Sequence, residues 1–220
     1  MRKAGLGPLR SCGGVAAQIA RASLLALGLF TGGPTEAQTL ASLPAATATL
    51  ERTGKAKPVS AWFDFCDRYP AECAIDLSEP TAITLSSELW RAIVTVNRRI
   101  NRDIRPTTDM AHWGVVDRWD MAEDGFGDCE DYQLLKRKLL ADAGLPRRAM
   151  RMTVVIDEIG EGHAVLMIRT DRGDFILDNK TNAVLPWLQT GYTFVKREGQ
   201  ESRAWVALNG VASPVTTANR

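Results

Sequence analysis

The sequence predicts an α+β domain in which N-terminal helices pack on an antiparallel β-sheet. Two patterns carry this expectation. Apolar residues recur at helical spacing between residues 89 and 140, and from Met152 onward they fall into short runs separated by Gly-bearing turns. Length sets the bound: 220 residues suit one ordinary domain plus a processed leader.

The leader comes first. A basic stretch through Arg21 precedes the apolar run Ala22–Phe30, and Thr35-Glu36-Ala37 offers a small-x-Ala cleavage site before Gln38. That order is a secretory signal peptide over residues 1–37, with an uncleaved anchor as the competing reading. The run is far shorter than the ~20 apolar residues needed to span a bilayer. A periplasmic or secreted product with no stable membrane insertion after leader removal is therefore expected. The mature chain keeps 23 Lys+Arg against 25 Asp+Glu. This balance argues against a nucleic-acid partner, which usually requires a basic patch or stripe. The one basic cluster, Asn97–Arg105, reads as the solvated end of a helix.

Residues 38–58 are rich in Ala, Thr and Pro without periodicity, and read as a flexible lead-in. The domain is placed at 59–210, with a frayed end at 211–220. Leu89, Ile93, Val96 and Ile100 mark one face of a helix that starts at the hydroxyls of Thr84–Ser87 and stops before Pro106. Residues 106–127 are polar, with acids at 109, 117, 120, 123 and 124, and read as a loop bearing surface for a site. A second helix follows, with Asp128 as N-cap, Asp131 three residues on, and Gly144 then Pro146 as the stop. Strands are expected at 152–156, 164–169 and 175–177 as a meander, then at 192–196 and 204–208.

Export gives the cysteines meaning. Cys12 falls in the leader. Cys66 and Cys73 close a short loop turned by Pro70, and a local disulfide is the plain expectation, leaving Cys129 over. Cys129 sits at a helix start, where free N–H groups and the dipole favour a thiolate and can donate to an oxyanion. Asp128, Glu130 and Asp131 oppose this with negative charge, which calls for an imidazolium, a cation, or both. The base is His112 or His163. His163 is favoured because it opens a strand after Glu161-Gly162, whereas His112 lies in the polar loop. Asp178 ends the next strand and would orient that base, with Asn179 as the fallback.

Gly127-Asp128-Cys129-Glu130-Asp131-Tyr132, Gly162-His163-Ala164-Val165-Leu166 and Leu177-Asp178-Asn179 together resemble the bacterial transglutaminase-like cysteine proteinases. That family includes periplasmic proteases that release biofilm adhesins. The likeness covers about residues 60–208. It implies a papain-like/transglutaminase-like core and a Cys129-His163-Asp178 triad that hydrolyses a protein substrate. It also implies calcium held by acids flanking the cysteine, here Asp128 and Glu130 with Asp131 beside them, and an inner-membrane receptor as regulator. Papain-like enzymes often use an upstream Gln as oxyanion donor, but residues 90–128 contain none. Trp119, Asn97 or Asn101 are the substitutes, alongside the Cys129 N–H. Two other functions compete: acyl transfer to an amine through the same triad, and a non-catalytic calcium-dependent binding module.

Overall fold

The computed structural model describes residues 42–212. The expected leader, residues 1–37, lies outside them, as do residues 213–220. The elements run β1 (Gly54–Ala56), α1 (Ser60–Arg68), α2 (Ser87–Asp103), β2 (Arg105–Pro106), α3 (Asp109–His112), β3 (Phe126–Gly127) and α4 (Cys129–Asp142). Six strands follow: β4 (Met150–Ile156), β5 (Gly162–Thr170), β6 (Gly173–Leu177), β7 (Leu185–Pro186), β8 (Thr193–Glu198) and β9 (Trp205–Ala212). The α+β expectation therefore holds, helices first and sheet after.

All pairings in the seven-stranded sheet are antiparallel, in the order β1-β9-β8-β4-β5-β6-β7. The expected meander is β4-β5-β6, and the chain then returns to place β8 on the free edge of β4. Side chains alternate across the sheet with period two. Met152, Leu166 and Ile168 face the helices with Trp62, Phe65, Trp90, Ile93 and Leu134. Val155, Val165 and Met167 face the other way, with Phe194, Trp187 and Leu50.

That second buried face explains a correction. The segment 38–58 carries no periodicity, yet its described part, 42–58, is laid along the sheet rather than free. Leu50 is buried, its N–H donates to Asp174 Oδ2 at 2.7 Å, and its carbonyl accepts from Arg169 Nη2 at 2.8 Å. The Thr47 N–H donates to Arg172 O at 2.7 Å, and β1 extends the sheet beside β9. Gly173, at φ +105°, permits this approach, since a Cβ there would lie 2.4 Å from a Thr47 methyl carbon. A segment without helical or strand pattern is ordered here by the face it covers. At the other end, residues 211 and 212 pair with β8 rather than fray.

Cys66 and Cys73 are joined, with Cα atoms 5.5 Å apart, and this disulfide clamps the end of α1 to the turn that follows. Cys129 is the free cysteine among the described residues. Behind α4, Glu198 accepts from Arg137 Nη1 at 2.6 Å, from the Trp62 indole at 2.6 Å and from Met152 N at 2.9 Å, all buried. Burial alone would raise the Glu198 carboxyl, but Arg137 and Arg151 hold it below the ordinary range. Its contribution to stability is thus present above the ordinary carboxylate pKa and is lost as pH falls through the lowered one. Glu198→Gln should cost ~3–5 kcal/mol at pH 7 by leaving Arg137 buried and unpaired; urea unfolding measures this.

Candidate active site

The start of α4 is held by the short parallel pair of β2 and β3, in which Arg105 lies opposite Phe126 and Pro106 opposite Gly127. Asp131 turns back on the chain, with Oδ2 accepting from Asp128 N at 3.3 Å and Oδ1 accepting from Asp120 N at 2.6 Å. The Gly127-Asp128-Cys129-Glu130-Asp131 pattern has a steric reason. A Cβ on Gly127 would stand 2.7 Å from the Asp131 Cβ. Cys129 is consequently fixed as the first residue of α4, and α4 packs on β5.

The Cys129 thiol meets two groups. Its Sγ donates to Glu130 Oε2 at 3.1 Å and receives a backbone hydrogen bond from Ala164, the residue after His163. Burial first, and then the Glu130 carboxylate, push this thiol well above its ordinary range. The conflict foreseen in the sequence, a helix start surrounded by acids, is real in three dimensions.

His163 lies on β5, and Asp178 directly follows β6, the neighbouring strand. The β5–β6 register pairs Leu166 with Leu177. One step further puts Asp178 opposite Val165, diagonal to His163 on the same face. His163 Nε2 and Asp178 Oδ1 are 2.8 Å apart, and both residues are buried. Asp178 also accepts from the Lys180 N–H at 3.0 Å and from the Tyr192 hydroxyl at 2.5 Å. Burial would raise its carboxyl, but the His163 and Tyr192 contacts win and keep it below the usual range. An ionised carboxylate has no proton to give, so Nε2 is the donor in this hydrogen bond. The Tyr192 ring stands edge-on to the imidazole, with centroids 5.7 Å apart and planes at 80°. Burial and then Asp178 keep the Tyr192 phenol protonated by raising its pKa. Asn179, the fallback orienter, instead accepts from Gln133 at 3.4 Å.

The other candidates are engaged elsewhere. His112 Nε2 lies 2.8 Å from Asp124 Oδ2, and its ring stacks on Trp113 at 4.0 Å. Of the proposed oxyanion donors, Trp119 is buried and its side chain hydrogen-bonds Asp117. Asn97 Nδ2 donates to Thr181 O at 3.2 Å, and Asn101 Nδ2 to the carbonyls of Asp178 and Thr181 at 2.9 Å each. These amides brace the loop after Asp178, which leaves the Cys129 backbone N–H as the donor that the sequence named.

The acids form a larger cluster than the sequence suggested. Carboxylate oxygens of Asp109, Asp128 and Asp131 lie within 4.8 Å of one another, as do those of Asp109, Asp117 and Glu130. Asp109 arrives on the short α3, and its Oδ2 accepts from the Arg118 N–H at 2.5 Å. Burial and mutual repulsion raise all five carboxyls, Asp131 to about 8. Asp128 and Glu130 share a hydrogen bond, and Asp128 Oδ1 is buried with no partner. Close-packed oxygens, an orphaned carboxylate atom and unneutralised charge fit a hard divalent cation. The sequence offered Asp109 and Asp117 only as members of an acidic loop, and it gave no hint of Tyr192.

No helix among the described residues is long and apolar enough to cross a membrane. None of the curated proteins matches this chain. Legionella pneumophila LapG is similar in structure at 24% identity, with a TM-score of 0.46, over 54% of this chain and 69% of that one. An EGTA-treated form of the same protein gives 25% identity and a TM-score of 0.45, over 53% of this chain and 66% of that one. A calcium-bound form gives 21% and 0.44, over 60% and 83%. The profile of the bacterial transglutaminase-like cysteine proteinases matches residues 52–213, most of the chain. The protein therefore belongs to that family and is a cysteine peptidase of the transglutaminase-like type.

Proposed function

We propose that this chain is an exported endopeptidase that cleaves a surface protein, an adhesin by the family resemblance, with Cys129 as nucleophile, His163 as base and Asp178 as its orienting carboxylate. One observation carries the reading: the Cys129 sulfur rests on the backbone beside His163, and His163 is in turn held by Asp178. His163 Nδ1 accepts the thiol proton as sulfur attacks the scissile carbonyl. The helix-start N–H of Cys129 faces the developing oxyanion. The C–N bond then breaks, the amine leaves with the proton from His163, and a thioester remains on Cys129. His163 next removes a proton from water, which attacks the thioester and restores the thiol. Asp178 holds the imidazole tautomer throughout and balances the imidazolium.

Asp109, Asp117, Asp128, Glu130 and Asp131 are the residues that would hold calcium. When bound, the ion supplies positive charge against the carboxylates around Cys129, which otherwise disfavour a thiolate. The calcium-bound LapG is the parallel for this assignment. A membrane receptor as regulator rests on the resemblance alone, and periplasmic or secreted placement rests on the leader expected over residues 1–37.

The direct test is to incubate the purified chain with exported surface proteins and to sequence new N-termini. A cut that appears with the wild type and not with Cys129→Ala supports hydrolysis. Amine incorporated at a Gln side chain, with no new N-terminus, would make the reaction acyl transfer instead. Tyr192→Phe should lower kcat about tenfold, with KM little changed, because it removes one hydrogen bond of ~1.5 kcal/mol to a charged group.

A further inference from the structure

Three consecutive residues, Arg118, Trp119 and Asp120, each donate to a different acid of the cluster. The Arg118 N–H reaches Asp109 Oδ2 at 2.5 Å, the Trp119 side chain reaches Asp117, and the Asp120 N–H reaches Asp131 Oδ1 at 2.6 Å. The stretch belongs to the connection between α3 and β3, so neither helix nor strand holds it in shape. Its donors stay in place only through contacts made outside it.

The Asp120 carboxylate supplies most of those contacts. It accepts from the Tyr69 hydroxyl at 2.7 Å, from Arg68 Nη1 at 3.1 Å and from Arg118 Nη2 at 3.2 Å. Arg68 Nη2 also donates to the Trp119 carbonyl at 2.6 Å. Arg68 and Tyr69 end α1 inside the loop closed by the Cys66–Cys73 disulfide, which gives this anchor a fixed base. Trp119 is buried, and its ring stands edge-on to Trp205 with centroids 6.2 Å apart. Charge-assisted hydrogen bonds are the stronger kind, and ligands placed in advance lose less freedom when a cation arrives. We propose that Asp120 is a positioning residue for the cleavage site: tied to Arg68 and Tyr69, it holds residues 118–120 as a template that sets Asp109, Asp117 and Asp131 around the start of α4. The proposal deepens the calcium reading above and rests on it for its effect on the metal. Its effect on the α4 cap, through Asp131, is independent of any ion.

Amide hydrogen exchange in EDTA and calorimetric titration with calcium chloride test this on the wild type, Asp120→Ala, Asp120→Asn and Glu198→Gln. In Asp120→Ala, residues 127–132 should exchange about tenfold faster while β4 and β5 keep wild-type rates, and the calcium Kd should rise about tenfold. Asp120→Asn, which keeps an acceptor for Tyr69, should fall between. Glu198→Gln weakens the fold from behind α4 and should leave the calcium Kd within about twofold, so a general loss of stability does not imitate the result. Arg68→Met should weaken calcium binding in the same direction and add little in combination with Asp120→Ala, because both remove one contact. If Asp120→Ala does not fold, Arg68→Met and Tyr69→Phe carry the same comparison. Unchanged exchange or an unchanged Kd in Asp120→Ala, or an equal loss of calcium affinity in Glu198→Gln, would overturn the proposal. A wild type that binds no calcium would end the calcium reading instead, and exchange over residues 127–132 would then decide the role of Asp120 alone.

Discussion

Cys129→Ala should reduce peptide cleavage by a factor on the order of 10⁴–10⁶, to the residual that binding and the helix-start N–H groups provide. The same change should leave urea stability within about 1 kcal/mol, since it removes one sulfur atom from a half-buried position without opening a core cavity. The contrast separates chemistry from packing. Loss of fold together with activity would make Cys129 a structural residue. Serine at this position should not rescue, because the oxygen nucleophile is far harder to deprotonate beside Glu130. Steady-state cleavage of one peptide substrate, with unfolding curves on the same preparations, checks all three statements.

Removing the proposed calcium should have the second-largest effect. Five raised carboxyls in contact cannot all ionise without a counter-charge. A site held at a thousand times its Kd would contribute about 4 kcal/mol, which is on the order of 10 °C in melting temperature for a domain of this size. The sign with pH follows from the protons. Metal-free, the cluster binds more protons folded than unfolded, so stability falls as pH rises from ordinary carboxylate values toward about 8, the value reached by Asp131. Calcium replaces those protons, and its stabilisation should therefore be larger at pH 8 than at pH 5.5. Scanning calorimetry with calcium or chelator at both pH values measures the difference. Asp109→Asn should weaken the calcium response; an equal response would remove Asp109 from the site.

The parts of this protein that were legible in the sequence are those in which local pattern and chemistry coincide. The α4 start was readable because Asp128, Cys129 and Asp131 are close in sequence and the cap fixes their geometry. His163 and Asp178 were readable as a pair because a short hairpin sets the register between them. Tyr192 was not, since it reaches Asp178 from beyond β7, across a connection with no periodicity. Asp109 and Asp117 joined the acid cluster through the β2–β3 pairing, whose two-residue strands carry no alternation to detect. Residues 42–58 looked unstructured for a related reason: their order comes from Leu50 and the Arg169–Asp174 pair on the far side of the sheet. The oxyanion candidates Trp119, Asn97 and Asn101 were mistaken in role because only the fold shows which acceptors already hold them.

Alkylation of the native, calcium-loaded protein by iodoacetamide across pH 5–9, read by mass spectrometry at Cys129, bears most directly on the proposed site. A thiol coupled to the imidazole should react well below the pH at which free cysteine does, and His163→Ala should move that onset upward to the free value or beyond. Identical pH–rate curves for the wild type and His163→Ala would mean that sulfur and imidazole do not act on one another, and the cleavage mechanism would fall with them.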